Sequence, residues 1–180
     1  MRLGRHALME RLIERHHAAL YRHALWMTGD PHLADDLVQE TYHEAWKGLG
    51  RLRAERAGLA WLLTILRRRL ARHLASGDAL GRAEPLEIAA PETRAAGDDE
   101  DTALMLDLAA ALQRLAPAQR EILLLHALHG LSYREIARLL DIPIGTVMSR
   151  IARARRALET ALAGPAPGGR VVPLPVGRRR

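Results

Sequence analysis

The chain has no cysteine and no phenylalanine, a single lysine at Lys47, and aromatic residues at only 3% of its 180 positions. Without cysteine there is no disulfide frame and no thiolate metal site, so stability has to come from an apolar core. The length and the 48% hydrophobic content suffice for one domain or two small ones. No uninterrupted apolar run approaches the roughly 20 residues of a membrane span. The opening residues, MRLGRHALMERLIERHH, carry charge throughout and lack the apolar segment of a signal peptide. These absences predict a cytoplasmic protein that does not insert into a membrane. Three Trp and three Tyr leave little for base stacking. Trp26, Trp46 and Trp61 all sit in helical patterns that suit core packing.

What the chain has is arginine, leucine and alanine. Lys+Arg outnumber Asp+Glu by 27 to 21, a net charge of +6. Such a balance suits a polyanionic partner, although coding bias towards Arg and Ala would produce a similar count.

The most informative stretch runs from Leu131 to Leu162 and predicts a helix-turn-helix. Ser132 with Glu135 three residues on makes a capping box that opens the first helix, and Leu139 and Leu140 close it. Asp141, Ile142 and Pro143 form the break, and proline suits the first turn of the helix that follows. In that second helix Ile144, Val147, Ile151, Ala154, Leu158 and Leu162 recur at spacings of three or four, which predicts a core-facing stripe. Thr146, Ser149, Arg153 and Arg156 fall roughly opposite it, with Arg150 on one flank. Hydroxyls and guanidinium forks bond base edges and phosphates in a major groove. A lone basic helix is more often a solvated face. The cap, the proline turn and the stripe occurring together favour DNA binding.

From the N-terminus, helical recurrence covers about residues 8 to 27, and Gly29 breaks it. Asp30 is a natural N-cap and Pro31 a natural first-turn residue for the next helix. There Leu33, Leu37, Thr41, Ala45 and Leu49 share helical spacing, while Asp35, Asp36, Gln39, Glu40 and Glu44 take other positions. This acidic surface in a basic chain is what a basic protein partner would grip. A glycine-rich loop from Gly48 to Gly58 leads to a third helix, from about Leu59 to Leu74. Its Arg67, Arg68, Arg69 and Arg72 cannot all pack inward and predict a cationic edge suited to phosphates.

Residues 76 to 101 hold eight acids against Arg82 and Arg94, and have no sustained periodicity. They predict a flexible acidic linker. Helices with short connections then lead to the helix-turn-helix, and the Pro- and Gly-rich residues 164 to 180 predict a disordered tail. The expected architecture is all-α: a domain over 1–75, the linker over 76–101, a second domain over 102–163, then the tail. No catalytic constellation is visible. His16 and His17, or His126 and His129, lack a third ligand at useful spacing. There is no phosphate-binding glycine loop and no activated nucleophile. Neither enzyme activity nor a cofactor is expected.

Two blocks carry a family resemblance. GDPHLADDLVQETYHEAW with AWLLTILRRRLARHL resembles region 2 of the extracytoplasmic-function (ECF) group of sigma-70-type sigma factors. ALQRLAPAQREILLLHALHGLSYREIARLLDIPIGTVMSRIARARRAL resembles region 4. The resemblance implies a dissociable promoter-recognition subunit whose partners are promoter DNA, core RNA polymerase through its β′ clamp helices and β flap, and, in members so regulated, an anti-sigma factor. It implies reading of the −35 element by Met148, Ser149, Ala152 and Arg153, with Arg150, Arg155 and Arg156 nearby. It places Asp35, Asp36, Gln39, Glu40 and Glu44 against the clamp helices. The loop bearing Arg51, Arg53 and Arg56, with Trp61 and the arginines of the third helix, would serve the −10 element. The chain departs from the family at Arg68 and Arg72, where Asn and Asp are usual, and at Met148, where a basic residue is usual. A weakly strand-opening factor is the resulting expectation. Two rivals stay open: a stand-alone helix-turn-helix regulator, and a sigma mimic that titrates an anti-sigma factor.

Overall fold

The computed structural model describes residues 2–52, 54–75 and 99–163, and every regular element among them is helical. Arg53, most of the acidic linker (76–98) and the tail (164–180) lie outside the described residues.

Helix α1 spans Arg2–Thr28 and begins about six residues earlier than its apolar pattern. It stops at Gly29, whose φ of 75° is a conformation that side chains with a Cβ avoid. The Asp30 carboxylate then accepts bonds from the backbone N–H groups of His32 at 2.8 Å and Leu33 at 3.2 Å. That cap starts α2, Pro31–Gly48. Two single 3₁₀ turns, Leu49–Arg51 and Glu55–Ala57, carry the chain to α3, Gly58–Ala75. The three helices pack on one another through Leu12, Leu20, Leu37, Val38, Leu62 and Leu66, all buried. Gly58 is needed where α3 starts, because a Cβ there would stand 2.6 Å from Leu12 Cδ2.

The second group comprises α4 (Asp99–Arg114), α5 (Pro117–Leu123), α6 (Tyr133–Leu140) and α7 (Ile144–Leu162). Helix α4 takes in Asp99, Glu100 and Asp101, the last residues expected in the linker. Acids in a first turn face the positive end of the helix dipole, which favours helix there. A π-helical turn, Leu124–Leu128, extends α5. The capping box forms as expected: Glu135 Oε2 accepts from the Ser132 N–H at 2.9 Å and from its hydroxyl at 2.6 Å. Asp141 ends α6 with φ 54°, and Pro143 precedes α7. The predicted α7 stripe is corrected at both ends. Val147, Ile151 and Ala154 are buried, whereas Ile144 and Leu162 are 44% and 49% exposed.

The two groups share one continuous apolar cluster. Polar links cross between them as well. Arg120 of α5 is buried and donates to the Met27 carbonyl at 2.7 Å, at the C-terminal end of α1. Gln113 donates to the Trp26 carbonyl at 3.0 Å. His23 Nδ1 lies 3.0 Å from His129 Nε2, and Arg67 of α3 pairs with Glu121 of α5 at 2.9 Å. Among the described residues no helix is long and apolar enough to cross a membrane.

Candidate nucleic-acid interface

Helix α7 presents Met148, Ser149, Arg150, Ala152, Arg153 and Arg156 to solvent, while Thr146 is half-buried. The proline turn and the buried stripe fix this orientation: with Val147 and Ile151 in the core, positions 100° to 200° away on the helix must face outward. Arg153 Nε donates to the Ser149 carbonyl at 3.3 Å and Arg156 Nε to the Ala152 carbonyl at 3.4 Å. Each bond uses one of five guanidinium donors, and the others remain to meet an anion.

The cationic edge of α3 is split by the fold. Arg68 and Arg72 are exposed. Arg67 is held by Glu121, whose carboxyl pKa is raised by burial even though Arg67 pulls it the other way. Arg69 turns to α2, donating to Glu40 at 3.3 Å and closely to Glu44. The acidic face of α2 is therefore partly neutralised from within: Glu44 is half-buried, while Glu40 stays exposed alongside Asp35, Asp36 and Gln39. Arg51 and Arg56 are exposed on the two turns before α3. Trp61 is half-buried against the core, with its ring edge facing Gly48. Beside it lies a groove of about 410 Å³, walled by Arg15 and His16 of α1, by Glu55 and Trp61, and across from them by Glu135 and Arg138 of α6. Burial holds the His16 imidazole below its ordinary pKa. Among the described residues no cluster of three or more His, Cys, Asp or Glu side chains could hold a metal ion.

Family models for sigma-70 region 2 and sigma-70 region 4 match residues 12–79 and 105–158. The ECF RNA polymerase sigma factor SigC of Mycobacterium tuberculosis is 37% identical over 129 residues, covering 69% of this chain and 68% of its own length. SigL of the same species is 34% identical over 160 residues, covering 87% and 89%. The chain belongs to the ECF group of sigma-70 family sigma factors. Among solved structures, the sigma factor RpoE of Bartonella quintana, crystallised with the anti-sigma factor NepR, superposes with a TM-score of 0.69 at 28% identity, over 86% of this chain and 96% of its own.

In this sigma factor, region 2 corresponds to α1 through α3 and region 4 to α4 through α7. The surfaces expected from sequence thus fall on different elements: α7 of region 4, the turns and α3 of region 2, and α2 of region 2, the last two joined through Arg69. Missed in the sequence were Glu121, which occupies Arg67, and the α6 wall of the groove. An acid in a leucine-rich helix was the sole signal of the first, and it does not name its partner.

Proposed function

We propose that this sigma factor binds core RNA polymerase and directs it to a specific set of promoters, acting in the cytoplasm. In this reading region 4 places Met148, Ser149, Ala152 and Arg153 on the −35 element, with Arg150 and Arg156 on phosphates. Arg51, Arg56, Arg68 and Arg72 line the path of the −10 element. Asp35, Asp36 and Gln39 of α2 meet the β′ clamp helices, with Glu40 and Glu44 joining if Arg69 releases them. An anti-sigma factor is the natural antagonist, as for the RpoE relative. The observation that carries the reading is the ordered pair of regions 2 and 4 on one chain, with an exposed Ser/Arg face on α7.

The test is run-off transcription from sheared genomic DNA with core polymerase, with and without the protein, followed by mapping of RNA 5′ ends. New ends gathered downstream of one shared pair of motifs are expected. Core bound without new ends would favour a mimic. If core is not retained at all, the stand-alone regulator becomes the better account. Arg153→Ala should lose about 1 to 3 kcal/mol of discrimination at one −35 position.

A further inference from the structure

The reading helix carries large apolar side chains where water would meet them. Met148 is 55% exposed and Ile144, one turn before it, 44% exposed. Neither belongs to the buried stripe of Val147, Ile151 and Ala154. At about 100° per residue, Ile144, Met148 and exposed Ala152 form a narrow apolar strip. The strip runs between the core contact and the polar row of Ser149 and Arg153, and exposed Arg150, Arg155 and Arg156 share the helix with it. An apolar strip set among four arginines complements a polyanion that also offers an apolar group. In the major groove of DNA that group is the C5-methyl of thymine, which no other base carries.

We propose that Met148, supported by Ile144 and Ala152, reads a thymine methyl in the −35 element and so sets one letter of this sigma factor's promoter. The inference rests on the proposed placement of α7 in the major groove. A methionine suits the task because its unbranched, polarizable thioether adapts to the methyl without needing a hydrogen-bond partner. At the same position an arginine would address the O6 and N7 of guanine. The specificity expected here is therefore thymine, accompanied by the Arg153 contact one turn further on.

The experiment uses the full chain with core polymerase and a promoter recovered by run-off mapping. Each thymidine of the −35 element is replaced in turn by deoxyuridine, which removes only the methyl. Replacement at one position should weaken holoenzyme binding about threefold to fivefold, the size of one buried methyl group. Met148→Ala should bind the thymidine template more weakly by a similar factor and no longer distinguish it from the deoxyuridine template. Met148→Leu should keep most of the difference, and Met148→Arg should transfer the preference to guanine. Circular dichroism checks that the variants keep their helix content. If deoxyuridine is silent everywhere, or equally harmful to the native and Met148→Ala chains, while Arg153→Ala still weakens binding, the methyl inference is overturned and the placement of α7 survives. If neither Arg153→Ala nor Met148→Ala alters promoter binding, α7 is not the reader and both fall. Loss of a protein partner in Met148→Ala, with DNA binding unchanged, also overturns it.

Discussion

Arg120 carries its charge into the interior with no carboxylate paired to it among the described residues. Its guanidinium instead gathers carbonyl oxygens: Leu112 at 2.8 Å and Gln113 at 2.9 Å from the last turn of α4, Leu115 just beyond it, and Met27 at 2.7 Å from the end of α1. Two helix C-termini, each with a partial negative charge, converge on one cation. Burial nevertheless lowers its pKa, so the carbonyls have to offset a desolvation cost. Arg120→Ala would orphan several buried acceptors, and a loss of roughly 3 kcal/mol is expected in urea unfolding. Arg120→Lys, with fewer donors in a different geometry, should lose less but not be neutral. At Gly58 the constraint is space. Gly58→Ala drives a methyl to within 2.6 Å of Leu12 Cδ2, and overpacking there should cost about 1 to 3 kcal/mol on the same measurement.

Element by element, α6 and α7 illustrate how the helix proposed to read DNA is held. The α6 cap is reciprocal, with Ser132 Oγ accepting from the Glu135 N–H at 3.3 Å while the Glu135 carboxylate accepts in return. Those bonds from Ser132 hold the Glu135 carboxyl below its ordinary pKa. Ser132→Ala should lose about 1 kcal/mol of stability, seen as a lower urea midpoint, with promoter choice unchanged because no base-reading side chain moves. Helix α7 has no side-chain cap and starts directly after Pro143. Its register follows from the buried Val147, Ile151 and Ala154, so a polar residue at Ile151 should disturb both stability and DNA reading.

For the whole molecule, the packing of region 4 on region 2 is the feature with most consequence. Elements centred about 25 base pairs apart lie roughly 85 Å apart on straight DNA at 3.4 Å per pair. A compact chain of this length has a radius of gyration of only about 16 Å. Under the proposed function the two regions therefore have to part on a promoter. The contact they leave includes His23 and His129. Burial first, and His129 second, hold His23 down to about 3. Burial first, and Arg22 second, hold His129 down to about 4. An ordinary histidine titrates near 6.5, so the neutral forms are favoured while the regions are together. Their contribution to the packed state is complete above about pH 6.5 and is lost as pH falls from there towards 4 and 3. Because the chain has no native cysteine, cysteines introduced at exposed Ala18 and Thr160 can carry a donor and acceptor dye. Energy transfer should fall between pH 7.5 and 5 while helix content persists, and His23→Leu should flatten that dependence. Transfer that stays constant to pH 5 in the native chain would contradict the account.

The sequence by itself determined what is settled within about four residues. The Asp30 and Ser132 caps, the breaks at Gly29 and Pro143, and the outward Ser149, Arg153 and Arg156 of α7 are of this kind, because capping and helical periodicity act between near neighbours. The acidic residues of α2 were legible for the same reason, but their neutralisation was not. Arg69 reaches Glu40 and Glu44 from 29 and 25 residues away, Arg120 reaches Met27 from 93, and His129 meets His23 from 106. Pairs so far apart are chosen by which helix faces pack together, and periodicity says that a face is apolar without saying against what it is buried. The exposure of Ile144 and Leu162 has the same origin. Both fit the stripe, but the neighbouring helices do not cover the ends of α7. Tertiary packing thus decided which cations and which apolar residues of α7 and α3 stay exposed, and so which of them the proposed DNA contacts can use.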